Sequence, residues 1–448
     1  MRWPEAIRPG RRDEDSSRRD STALTHPRDA GQVRAARPGV FTRIFGSLGE
    51  REFRWFYIGM LGQMASMNMQ MVVRGYLAYV LTGSYAILGL VGLMSAIPML
   101  MLSMFGGVIA DRVPKRTVLQ AGQAANLGIA AFIAVLLFTG FMAVPWLLLS
   151  AAVQGVVSAL MMPSRQAMIA EIVPNDRLMN AVSLNMAGMN TMRLIAPAIG
   201  GFIVASAGFE WAYLVMASLY GLAILGLTRV TWRPAADPGE AGMGVGQIWR
   251  RSIGDIKQGL VYIRNDRLML ALLSVSFVAS FFAMPYLFLL PGYVADIFDG
   301  GGTQVGLMIS VSAVGALAGA LMLASLPSRH RGLILLAGLA ILGVGLIGFT
   351  RTSSFAVAGA FMVVVGLGSA LRQALTQGLL HHYVDDAYRG RVMAVFMTQV
   401  SVMQFGTFIV GIAAELAGIR VAFAATGVGL LIVTMLVFLF VPRIRHVQ

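Results

Sequence analysis

Two arginines stand inside long apolar stretches: Arg74, about two helical turns from one end of Phe53–Leu81, and Arg193, halfway along Leu178–Ser206. A central arginine costs about 2.5–3.5 kcal/mol on insertion scales, and no carboxylate lies at comparable depth. Every acid falls in the N-terminal tail, a loop or the last turn of a stretch. Two readings stay open. Either these guanidinium groups face a cavity and attract an acidic group of a ligand, or Arg74 snorkels to the surface and Arg193 bonds helix carbonyls. On a helix Gln63, Met67, Gln70 and Arg74 form one stripe, and Asn190 and Arg193 share a face with Pro197. Polar stripes in lipid face protein or water, which makes these six non-proline residues candidate contacts for a small-molecule substrate. Phe277 and Phe281, near Met284, Pro285 and Tyr286, and Gln399, near Met403 and Gln404, join them as an adaptable surface. Ordinary packing is the competing reading for each aromatic or methionine.

Other chemistries find less support. With no Cys in the chain, disulfides, thiolate metal sites and thiol nucleophiles are excluded. Met64, Met67, Met69 and Met71 invite comparison with thioether copper sites, but Met69 points away from the others on a helix and Met is abundant throughout. His381, His382, Asp385 and Asp386 share one short loop with Arg389 and Arg391, which reads as a solvated loop. No nucleotide-binding or hydrolytic motif occurs, so neither an enzyme nor a cofactor is expected. Proton coupling ordinarily uses an acid or His within the membrane; the nearest candidates, Asp111 and Glu415, are peripheral, and the five His at 26, 330, 381, 382 and 446 all lie on one side.

The elements that must hold these residues are transmembrane helices. Of 448 residues 57% are apolar and 12% charged, against about 25% charged in soluble domains. An all-α integral membrane protein of twelve spans is predicted: Phe53–Leu81, Tyr85–Ala110, Thr117–Phe138, Val144–Ile169, Leu178–Ser206 and Trp211–Leu227, then Leu268–Ala295, Val305–Leu326, Gly332–Gly348, Phe355–Leu380, Val392–Leu416 and Val421–Phe440. The domain boundaries that follow are a disordered tail over 1–50, a first bundle over 51–228, a central loop over 229–266 with an amphipathic helix over 247–263, a second bundle over 267–441, and a short tail over 442–448. The formal charge of +14 sits in the tails and in alternate loops, from Arg112, Lys115 and Arg116 to Arg443 and Arg445. That pattern places both termini in the cytoplasm rather than marking a nucleic-acid binder. The halves repeat. Gly201-Phe-Ile-Val-Ala-Ser-Ala-Gly208 parallels Gly411-Ile-Ala-Ala-Glu-Leu-Ala-Gly418, and Arg165-Gln-Ala parallels Arg372-Gln-Ala. Duplicated six-helix halves point to a secondary transporter with its site between them. A transport-silent membrane receptor or scaffold is the reading from another class.

Between the second and third spans, Gly106-Gly107-Val-Ile-Ala-Asp111-Arg112-Val-Pro-Lys115-Arg116 resembles the signature loop of the major facilitator superfamily. Leu81-Thr-Gly-Ser84, Pro163-Ser-Arg165-Gln-Ala167 and Arg389-Gly-Arg391-Val-Met393 resemble its macrolide-efflux and siderophore-exporter branch. The resemblance implies the major facilitator fold, two pseudo-symmetric six-helix bundles, alternating access, and export driven by protons from a bacterial inner membrane, by a monomer. The loop's own chemistry reads as a cytoplasmic gate at Gly107, Asp111, Arg112, Lys115, Arg116 and Arg165, with Asp111 accepting from Arg165 or from the helix starting near Val392; the competing reading is that these charges only anchor loops at the headgroups. Ala196-Pro197-Ala-Ile-Gly200-Gly201 resembles the exporters' antiporter motif, with Ala for its first Gly. The span-four arginine of many proton antiporters is replaced by Ala151, ahead of Gln154-Gly155. That departure suits an anion or lipid carrier without proton coupling.

Overall fold

The computed structural model describes residues 46–174, 177–230, 254, 257–326, 329–385 and 388–445, with only the backbone path for 103–112, 166–167 and 170. The first half forms Arg51–Thr82 (α1), Tyr85–Arg112 (α2), Lys115–Phe138 (α3), Val144–Ile172 (α4), Leu178–Ala207 (α5) and Phe209–Thr228 (α6). The second forms Arg267–Ala283 (α7), Pro285–Phe298 (α8), Gly302–Ser325 (α9), Arg331–Arg351 (α10), Phe355–Tyr383 (α11), Arg389–Met397 (α12), Gln399–Ala417 (α13), Ile419–Phe440 (α14) and Pro442–Arg445 (α15). Leu225, Leu321, Met435 and Phe440 are exposed on the outside, as side chains that meet lipid are.

Eleven helical stretches among the described residues are long and apolar enough to cross a bilayer. The helix α1 is outside that set although it is 32 residues long, because Gln63, Asn68, Gln70 and Arg74 interrupt its apolar run. Two predicted spans are each two helices. Pro285 lacks the N–H that would bond Phe281 and its ring crowds that carbonyl, so the seventh span stops at Ala283 and restarts as α8. The eleventh breaks at Thr398, whose hydroxyl donates to the Val395 carbonyl at 2.7 Å while its N–H tightens onto the same oxygen at 3.0 Å.

The two halves pack alike. In the first bundle α1 lies against α5 and α6, α2 against α4, and α3 against α4 and α6; in the second, α7 lies against α13 and α14, α9 against α11, and α10 against α11 and α14. The sequence repeat is thus a structural one. Gly208 and Gly418, with φ of 103° and 87°, make the same corner in each half, a backbone shape that disfavours any side chain.

Residues 46–50 depart from the tail reading. They form a short 3-10 turn, Gly46–Gly49, and Ser47 bonds the Asn180 Oδ1 through both its N–H (2.9 Å) and its hydroxyl (2.7 Å). Arg177 also pairs with Glu50 at 2.6 Å. Tail residues 1–45, most of the predicted amphipathic helix, Asp386 and His446 lie outside the described residues. Residues 257–265 are helical and seat on the second bundle, where Tyr262 stacks on Tyr388 with centroids 4.5 Å apart.

Between the bundles, α2 packs on α13, α5 on α9, and α1 on α8. These contacts gather at the end distal to the chain termini. A Cβ on Gly201 would overlap the Gly302 carbonyl, and one on Gly411 would overlap the Tyr85 carbonyl; the repeated glycines therefore sit at two equivalent seams. Ser310 Oγ donates to the Leu194 carbonyl at 2.5 Å at the deep end of one of them. The rim carries two acid clasps from the second bundle. Asp296 accepts from the hydroxyls of Tyr79 and Tyr85, and Glu415 accepts from the Ser84 hydroxyl and from the Ala86 N–H at 3.2 Å. Together the four hydrogen bonds to these two acids contribute at least about 1 kcal/mol. Asp296→Ala with Glu415→Ala is therefore expected to shift the closed-to-open ratio of the distal rim at least about fivefold. Spin labels on Leu81→Cys and Leu416→Cys, one on each bundle, would report this as a longer distance; an unchanged distribution would show that the glycine seams close the rim without the clasps.

Candidate functional site

A cavity of about 280 Å³ lies between α1, α2 and α4 of the first bundle and α8 and α13 of the second. Its polar lining comes chiefly from Gln70, Arg74, Gln154 and Gln404, and its apolar lining includes Met67 and Phe288. Arg74 is 8% exposed. Its Nη2 donates to Gln154 Oε1, and Gln154 Nε2 donates to Gln70 Oε1, so α1 and α4 are joined by a chain of three polar side chains. The Nε of Arg74 and the Oε1 of Gln404 are buried without hydrogen-bond partners. From α6, Tyr213 and Tyr220 lie within electrostatic reach of the guanidinium.

The ion pairs among the described residues are Lys115 with Glu171 and Arg177 with Glu50. Arg74 has neither, so its charge is balanced by neutral dipoles alone. A guanidinium offers five donors in a fixed fork, and an acidic group entering the cavity would find donors already oriented. Ala151, fully buried, stands one turn from Gln154 on α4. The guanidinium that bonds Gln154 thus comes from α1.

The structure divides the predicted candidates. Met67, Gln70 and Arg74 line the cavity. Gln63 does not: it borders a separate void of about 10 Å³ with Gln123 and Arg165, inside the first bundle. Eleven residues of helix separate it from Arg74, about 16 Å along the axis, so one face spans two depths. Asn190 and Arg193 are exposed on α5, on the terminal side of the Leu194 contact; they line no part of the cavity, although Arg193 reaches Tyr286 electrostatically. Phe277 packs into the second bundle's own core. Phe281 meets Phe282 edge-on at 5.2 Å, and the aromatic in the cavity is instead Phe288, turned inward after the break at Pro285. Gln399 accepts hydrogen bonds from Ser276 (2.9 Å) and Ser280 (3.2 Å), while Gln404 faces the cavity. Met64 and Met69 are buried in the core, while Met67 and Met71 line the cavity.

Of the signature loop, only the backbone of Gly107, Asp111 and Arg112 is described. Lys115 pairs with Glu171 on α4, Arg116 donates to the Thr228 carbonyl at 3.1 Å, and Arg165 borders the small void. In this conformation these contacts tie α3 to α4 and α6 within one bundle, rather than reaching the other. Pro197, Gly200 and Gly201 are all buried: Gly306 approaches the Pro197 carbonyl and Gly201 packs on Gly302 at the seam, while Gly200 packs on Met69 of α1 within the first bundle. Asp385 bonds Tyr262, and His382 stands edge-on to Tyr383.

Residues 42–447 match the family of transmembrane secretion effectors. The chain belongs to that family of the major facilitator superfamily. The chain is 25% identical to the staphyloferrin A transporter of Staphylococcus aureus over 362 residues, covering 80% of this chain and 87% of that one. It is 22% identical to macrolide efflux protein A of Streptococcus pyogenes, over 83% of this chain and 92% of that one. Its fold superposes on the crystal structure of the nucleoside transporter NupG with a TM-score of 0.68 at 14% identity, over 87% and 98% of the two chains. The chain is therefore a multi-pass membrane transporter of the macrolide-efflux and siderophore-exporter branch, in a family of transporters rather than enzymes.

Proposed function

We propose that this transporter exports amphiphilic small molecules bearing an acidic group, by rocking its two bundles about the Arg74 cavity. The observation that carries the reading is a buried arginine without an acid partner, in a cavity walled by both bundles. The distal seams and clasps make this the conformation closed at the end away from the termini. With the basic loops cytoplasmic, it is the state that loads substrate from the cytoplasm, and α1 serves as the twelfth span. The signature loop, from Gly107 to Arg116 with Arg165, closes the opposite side in the other state. A bacterial inner membrane and a monomer complete the proposal. Protons drive the export through the peripheral acids Asp111 and Glu415.

A second reading has its own support. With Ala151 in span four and no acid at mid-depth among the described residues, an anion or lipid carrier without proton coupling fits the same cavity. One experiment separates the two: accumulation of a macrolide, a catechol siderophore and a lipophilic cation in an efflux-deficient host expressing the protein, with and without a protonophore. Lowered accumulation that the protonophore restores supports proton-driven export. Lowered accumulation that it leaves alone supports the uncoupled carrier. No change with any compound sinks drug and siderophore export together.

A further inference from the structure

A second arginine is buried without an acid, in the other bundle. Arg372, in the middle of α11, is 4% exposed. Its Nη1 lies 3.5 Å from Ser280 Oγ on α7, at the limit of a hydrogen bond, and its Nε has no partner. Ser280 and Ser276 turn their hydroxyl protons to Gln399 Oε1 on α13, which leaves the serine oxygen weakly engaged with the guanidinium. Tyr286, buried at the start of α8, lies within electrostatic reach of both Arg372 and Arg193. The group thus gathers a cation and hydroxyls from α7, α8 and α11, but no negative charge; neither ion pair of the described residues involves it.

A charge this deep is costly unless it is paired, and hydroxyls that now donate to Gln399 can turn to donate to an anion. We infer a second anion subsite at Arg372, flanked by Ser280 and Tyr286, that takes a carboxylate or an inorganic anion of similar size. It is separate from the Arg74 cavity: Arg74 is held by Gln154 in the first bundle and Arg372 faces α7 in the second. Anion binding there does not depend on the export reading, so it can be tested without transport.

The test is thermal unfolding of the purified full-length chain in low-salt HEPES, titrated with sodium chloride or sodium citrate. The background is Arg74→Gln, so that the cavity arginine adds nothing. The expected result is a saturable rise of a few degrees in the unfolding midpoint with at least one of the two anions. That rise should be lost in Arg372→Gln and largely kept in Arg372→Lys. Without anion, Arg372→Gln should melt no lower than its parent, because it removes an uncompensated charge. A response to chloride assigns a free inorganic anion; a response to citrate alone assigns an organic acid. If the anion-induced rise is absent from the parent, or survives Arg372→Gln, the subsite does not exist. Should Arg372→Gln fail to fold, Ser280→Ala with Tyr286→Phe replaces it, with a weakened anion response expected and an unchanged one overturning the proposal.

Discussion

Replacing Arg74 with Gln is expected to cut the flux of an acidic amphiphile about 10- to 100-fold, while a neutral amphiphile of similar size loses little. Hydrogen bonds to charged groups contribute about 1.5–3 kcal/mol each, and every 1.4 kcal/mol is a factor of ten. The effect should fall on selectivity more than on folding. Gln154 and Gln70 bond one another without Arg74, and the cavity gives an amide room where the guanidinium stood. Arg74→Lys should recover part of the flux and not all, since a point charge lacks the planar fork. Proteoliposomes loaded with one acidic and one neutral compound would measure both in a single preparation. Equal loss for the two would mean that Arg74 holds the bundle together rather than reading the substrate's charge.

The second large effect is expected at the seam. A side chain longer than hydrogen at Gly201 collides with the Gly302 carbonyl, a backbone atom that cannot turn aside. Gly201→Leu should therefore hold the distal end open and reduce transport at least tenfold, with the protein still inserted. Spin labels at positions 81 and 416 should then separate. The same change at Gly411, which would strike the Tyr85 carbonyl, should act alike, because the two glycines occupy equivalent places in the repeat. Normal transport by Gly201→Leu would show that the bundles need not close at this seam during the cycle.

Much of this was readable from the chain itself. The apolar stretches, the basic alternate loops and the paired segments Gly201–Gly208 and Gly411–Gly418 announce a duplicated helical membrane protein, because lipid admits few other ways to satisfy a backbone. The stripe Met67, Gln70, Arg74 was legible as well, since helical spacing fixes which side chains share a face. Depth along that face was not: Gln63 has the right angle and the wrong level. Arg193 and Asn190 satisfy the same rule, yet spacing does not say whether a helix face meets a cavity or lies beyond the last contact.

The sequence by itself determined the helical membrane fold, through composition and periodicity, and pointed to the family through the motifs it resembles; of its two deep arginines Arg74 is buried and Arg193 exposed. Only the tertiary structure decided which residues face one another. Gln154, Phe288, Gln404 and Arg372 come from four helices, and their roles depend on crossing helices that no local pattern specifies. The break at Pro285 shows why. A single missing N–H redirects the chain, so that Phe288 reaches the cavity while Phe277 and Phe281, the aromatics that composition favoured, remain in the packing of the second bundle.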